Sequence, residues 1–192
     1  AGRPSPGQPP RHGIIHDCLP TPEGIQICRD YHIQMPMQSA FIGWKQEPDD
    51  YLERILGHDR LEKLNPIRTF RDNNIVVSFG SDAPCTTPDP IAWMDRAVNN
   101  DNAGQAVSVQ DALRMCTYNG AWAAFDEQER GSLEAGKIAD MAVLSENPYT
   151  VPKDKLSGLR VERLYLSGKS YESCRESILP MMLRGLTSRN KA

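Results

Sequence analysis

An α/β fold of parallel strands with helical crossovers, followed by a small β element, is what this sequence predicts. Between residues 13 and 98, apolar runs and helical patterns alternate as strand, helix, strand, helix, strand, helix. That order argues for parallel pairing. After Gly131 come short glycine-punctuated strands, "GSLEAGKIADMAVLS" and "VERLYLSGKSYE". The length of 192 residues, 39% hydrophobic and 24% charged, suits one domain or one domain with a small appendage.

The elements follow in order. "AGRPSPGQPP", residues 1–10, reads as a linker or loop. It has neither a positive start nor an apolar segment, so it is not a signal peptide, and the chain reads as a piece of a longer protein. Gly13 to His16 is a short strand. Thr21 as N-cap and Pro22 at the first helical position start a helix, which Gly24 weakens by about 1 kcal/mol. "IQMPMQSAF" is a second strand, with Pro36 an awkward guest. Residues 48–72 are helical, with Pro66 restarting a second helix. "IVVSF", 75–79, is the third strand. Asp89-Pro90 starts a helix with Ile91, Met94 and Val98 on one face. "SVQDALRMCTYNGAWAAF" is one more helix, opened by a capping-box-like Ser108 and Asp111. The tail, 174–192, is expected to form a short helix and then lose order.

Composition excludes several classes. The net charge is −3 and no basic run exceeds a pair, so nucleic acid is not an expected partner. No apolar stretch approaches the length that spans a bilayer. Cys18, Cys28, Cys85, Cys116 and Cys174 are odd in number and form no Cys-x-x-Cys pair. They read as reduced thiols of a cytoplasmic protein.

Ligands of parallel α/β folds gather at the C-terminal ends of strands. Two such ends carry a potential metal ligand, His16 after Ile14-Ile15 and Asp82 after the 75–79 run. An imidazole beside a carboxylate suits zinc or a similar divalent ion. The bland readings are a hydrogen-bonded histidine and an Asx-turn at "GSD". Two ligands do not complete a catalytic zinc site, which wants about three from the protein. No His-x-His occurs; His12, His32 and His58 are spare candidates, His32 expected to be exposed and His58 to sit on a helix or its cap.

The ordered set "RHGIIHDC", "MPMQSAF", "FGSDAP", "GSLEAGKIADMAVL" and "VERLYLSGK" resembles the C-terminal part of the amidohydrolase superfamily, nearest the YtcJ-like group, over residues 11–172. The resemblance implies strands six to eight of a (β/α)8 TIM barrel over 11–130, then part of a small β-sandwich over 131–173. It implies that His16 ends the sixth strand as a metal ligand. Asp82 would end the eighth as ligand and proton shuttle, with "MQSAF" ending the seventh. Ser39 stands where the family more often has proline. Lys137 and Asp140 belong to the sandwich and look structural. The family's first five strands, its His-x-His and its fifth-strand histidine have no counterpart here.

The implied function is a metal-dependent hydrolase cleaving a non-peptide C–N bond of a small amide or formamide. Gln38, Phe41, Trp44 and Cys85 are candidates to line the substrate pocket. The alternative is a non-catalytic fragment that binds a partner. The missing N-terminal half and a second copy of the chain are the partners to expect.

Overall fold

The computed structural model describes residues 10–171. The linker through residue 9, Cys174 and the expected tail helix lie outside them.

The first helix forms as its residues dictate. The Thr21 hydroxyl accepts from the Gly24 amide, and α1 runs Pro22–Asp30. β1, Met35–Met37, and β2, Val77–Phe79, pair in parallel with Met35 opposite Val77 and Met37 opposite Phe79. Between them run α2 (Asp49–Leu56), α3 (His58–Leu61) and α4 (Ile67–Asp72). Beyond β2 come α5 (Pro90–Val98), α6 (Val109–Cys116) and α7 (Tyr118–Ala123). The Asp89 carboxylate caps α5 by accepting from the amides of Ile91 and Ala92.

The core lies on one side of this sheet. Met35, Met37 and Val77 are buried there with Ile67 and Phe70 of α4, Met94 of α5 and Met115 of α6. Strand alternation sends Gln34, Pro36, Gln38 and Ser78 to the other face. Gln34, Gln38 and Ser78 are buried, and Gln34 Oε1 and Gln38 Oε1 have no hydrogen-bond partner among the described residues.

The first expected strand contracts to one parallel bridge, Gly13 to Gln34. The Gln34 amide donates to the His12 carbonyl, Ile14 N donates to the Gln34 carbonyl, and His16 N reaches the Pro36 carbonyl at 3.4 Å. The next rung would need an N–H from Pro36, which has none. The ladder fails there, and His16 sits in a turn instead of an extended strand, with φ +60°. The second strand is also shorter than expected, because Ser39–Phe41 coils into a 3₁₀ turn.

Two expected helices are divided. The pattern over 48–72 breaks at Gly57, whose φ is +78°, before it breaks at Pro66. The pattern over 108–125 breaks at Thr117, with φ −124° and ψ −90°. α7 is thereby redirected, and its Asn119 side-chain amide donates to the Val77 carbonyl at 2.7 Å.

The last part is a three-stranded antiparallel sheet in the order β3 (Met141–Leu144), β4 (Val161–Leu166), β5 (Lys169–Tyr171). Asp140 anchors its entry, accepting from Ser167 N and from Arg130 Nη1, both at 2.8 Å. Lys137 Nζ donates to Ser132 Oγ at 2.6 Å and stands 3.5 Å from the Glu134 carboxylate. Gly131, with φ +91°, passes so near α7 that a Cβ there would lie 2.6 Å from Ala121 Cβ. Leu156 and Leu159, from the segment between β3 and β4, reach the main core.

Candidate metal centre and adjoining pocket

His16 and Asp82 meet. His16 Nε2 stands 3.4 Å from Asp82 Oδ2, although 65 residues of chain separate the two positions. Each follows a parallel segment, and each has a left-handed backbone, with φ +60° at His16 and +50° at Asp82. Histidine and aspartate tolerate that region better than most residues, at a cost of roughly 1 kcal/mol or more each. The turn at His16 is closed by Cys18 N donating to its carbonyl at 2.7 Å. The turn at Asp82 is held by Cys85 N donating to the Asp82 carbonyl at 2.9 Å and by Ser81 Oγ accepting from Ala83 N. Thr86 Oγ1 donates to the Ser81 carbonyl.

The donor set fits a divalent cation in part. Two donors about 2.1 Å from one tetrahedral ion stand roughly 3.4 Å apart, the separation found here. Both side chains are partly open to solvent, His16 38% and Asp82 44% exposed. With no ion between them, the same distance makes only a long ion pair when the imidazole is protonated. Among the described residues, no three His, Cys, Asp or Glu stand close enough together to hold an ion. His12 and His32 are exposed, and His58 Nδ1 pairs with Glu53 at 3.2 Å at the start of α3. Burial, with Asp17 and Glu47 nearby, pushes the Cys18 thiol above its ordinary value, and burial pushes Cys116 up to about 12. Both stay neutral thiols at pH 7.

The other expected site residues divide into two groups. Phe41 stacks on the His16 ring, with centroids 5.7 Å apart, and Trp44 packs on Phe41 at 4.9 Å. Gln38 is buried beside them at the end of β1, with Gly80 near its amide nitrogen. Ser39 Oγ donates to the Trp93 carbonyl at 2.9 Å and ties this strand end to α5. Cys85 is exposed and sits instead on the wall of a neighbouring pocket of about 610 Å³, which Trp44 also lines. Neither His16 nor Asp82 touches that wall; Ala83, the residue after Asp82, does.

Sequence reading missed two features. Arg96, on α5, carries no motif but reaches the pocket wall. Arg11 forms a two-pronged ion pair with Glu127, at 2.9 and 2.6 Å, with its guanidinium over the rings of Trp122 and Phe125. No local spacing links residues 116 apart in sequence. Only "RHGIIH" beside His16 could have drawn attention to Arg11.

The chain is similar to several known proteins. N-substituted formamide deformylase of Arthrobacter pascens is 34% identical over 152 residues, covering 76% of this chain and 26% of that protein. The putative amidohydrolase YtcJ of Bacillus subtilis is 25% identical over 178 residues, covering 84% and 32%. The chain thus spans about a quarter to a third of the length of these relatives. A metal-dependent hydrolase of Pyrococcus furiosus shares the fold, with a TM-score of 0.64 at 24% identity over 72% of this chain and 29% of that one. The sequence profile of the amidohydrolase family matches residues 4–171, which includes every residue described above, and the chain belongs to that family.

Proposed function

We propose that the polypeptide carrying this chain hydrolyses a non-peptide C–N bond of a small amide or formamide, with a divalent metal, zinc by preference, held in part by His16 and Asp82. The observation that carries the reading is the 3.4 Å approach of His16 Nε2 to Asp82 Oδ2, beyond the ends of the two parallel segments that flank β1. The name of the Arthrobacter relative supports the substrate class. On this reading β1 and β2 are the seventh and eighth strands of a (β/α)8 barrel, and the 13–16 segment is the sixth. The sheet of β3, β4 and β5 is part of a β-sandwich, with domain limits near 11–130 and 131–173.

When bound, the metal supplies water activation and polarises the carbonyl under attack. Asp82 accepts the proton that the attacking water loses and delivers it to the leaving nitrogen. His16 would offer an imidazole nitrogen to the metal, its ring steadied by Phe41. Phe41 and Trp44 shield one side of the reacting carbonyl. Gln38 would offer its buried carboxamide near the strand end, and Cys85 stands at the pocket wall. The protein works in the cytoplasm on small molecules.

A second reading has its own observation. Ile14 and Ile15 are 42% and 62% exposed on a segment that pairs on one side only among the described residues. A chain in that state acts as a binding piece for a polypeptide that completes the sheet, its own N-terminal half or a second copy. Asp82→Ala in the intact enzyme separates the readings. It removes a ligand and a proton acceptor together, so kcat for amide hydrolysis should fall by about 10³-fold or more. Near-normal turnover with full metal content would remove Asp82 from the mechanism.

A further inference from the structure

The 610 Å³ pocket beside Asp82 is built from two loops and α5, and its chemistry is one-sided. Its apolar wall includes Ala40, Trp44, Pro84 and Ala92. Among the described residues its single charged lining residue is Arg96, and no carboxylate lines it. Arg96 is exposed and makes no ion pair among the described residues. Gly43 has φ +62°, and a Cβ there would fall 3.0 Å from Arg96 Nη1 and 2.8 Å from Asp101 Oδ2. The missing side chain is what leaves room for the guanidinium. Asp101 shares that gap, yet it neither lines the pocket nor pairs with Arg96.

An apolar wall with one indole and one unpaired guanidinium is complementary to a flat apolar body that ends in an anion. Arginine binds carboxylates by two parallel N–H···O bonds, and aromatic faces stack on planar groups. We infer that this pocket takes a carboxylate-bearing aryl or alkyl substituent of the amide, with Arg96 reading the acid and Trp44 the body. The word substrate rests on the hydrolase reading; the ligand class rests on the pocket alone. Ala83 to Thr87 runs from Asp82 into the pocket wall, so an occupant lies one loop away from the proposed reacting centre.

The test is a titration of the intact polypeptide that carries this chain with 4-formamidobenzoate and with its neutral isostere 4-formamidobenzamide, by calorimetry. The acid should bind about tenfold more tightly than the amide. Arg96→Gln should erase that preference and Arg96→Lys should restore part of it, while Trp44→Ala should weaken both probes. Arg96 lies on the exposed side of α5, and near-ultraviolet circular dichroism checks that each variant keeps the fold. Equal affinity for the two probes, a preference that survives Arg96→Gln, or no binding of either would overturn the inference. Amine release from the same probes is followed in parallel. Arg96-dependent binding without hydrolysis would keep the ligand class and count against the hydrolase reading. Hydrolysis of both probes at equal rates, indifferent to Arg96, would do the opposite.

Discussion

Glu127 is a carboxylate with 6% of its surface exposed, and Arg11 makes that tenable. The hydrogen bonds from Arg11 hold its carboxyl below the usual range against the opposing effect of burial. The guanidinium lies 4.2 Å from the Trp122 ring centroid and 4.5 Å from that of Phe125, and it donates to the Trp122 carbonyl. The Arg11 carbonyl accepts from Gln34 Nε2 at 3.1 Å, so the pair also fixes the segment leading to His16. Removing one partner strands the other charge, at a cost of about 3 kcal/mol. A carboxyl whose folded pKa is depressed adds stability above its unfolded value, about 4.3, and loses it as pH falls through the folded value. Glu127→Gln should therefore be about 3 kcal/mol less stable than the natural protein at pH 7. The gap should narrow steadily below pH 4. Urea unfolding at pH 7 and pH 3 reads both; an equal gap at the two pH values would show that the charge of Glu127 is not what matters.

Helix starts were legible in the sequence because capping is local chemistry. Thr21, Asp89 and Ser108 each cap the helix that their side chains announce. Ser108 Oγ accepts from Asp111 N at 3.0 Å and donates to the Asp111 carboxylate at 2.6 Å. Burial works against that carboxylate, but Ser108 and Arg71 hold it below its ordinary value. Helix interruptions were not legible, because tertiary partners decide them. The break at Thr117 lets Asn119 satisfy the Val77 carbonyl, a contact across 42 residues. His16 and Asp82 were legible as residues at the ends of parallel segments, yet not as residues in turns, since the failed rung at Pro36 shows only once the pairing partner is known. Lys137 and Asp140 hold scaffold together. Asp140 joins Arg130 to the backbone between β4 and β5, and Lys137 packs over the Tyr118 ring at 5.7 Å. Asp140→Ala and Lys137→Ala should each cost about 1–2 kcal/mol, seen as a lower Tm. Specific activity of the folded fraction should hold. Lost turnover at unchanged Tm would move either residue into the site.

For the whole molecule, the two faces of the parallel sheet differ: one packs an apolar core and the other holds buried polar side chains. The helical side carries the buried core of methionine, phenylalanine, isoleucine and valine. The opposite side holds Gln34 and Gln38, whose Oε1 atoms lack donors among the described residues, and the adjoining 13–16 segment exposes Ile14 and Ile15. A buried amide oxygen without a partner costs roughly 1–3 kcal/mol, and exposed apolar area forgoes about 25 cal/mol per Å². Both penalties vanish if further strands bring N–H or O–H donors and apolar side chains to that face. The same geometry limits chemistry. On the proposed reading, His16 and Asp82 would give an ion two protein ligands where a catalytic zinc takes about three. Residues 1–192 expressed alone should therefore bind zinc weakly, release no amine from a formamide, and associate with themselves or with a supplied N-terminal half. Sedimentation, metal analysis after dialysis and an amine-release assay test the three points on one preparation. Adding the N-terminal half in trans should raise metal content toward stoichiometry and bring activity with it. A monomer that keeps one tightly bound zinc and turns over by itself would mean that the missing ligand lies within this chain, and His12 would then be the first residue to replace.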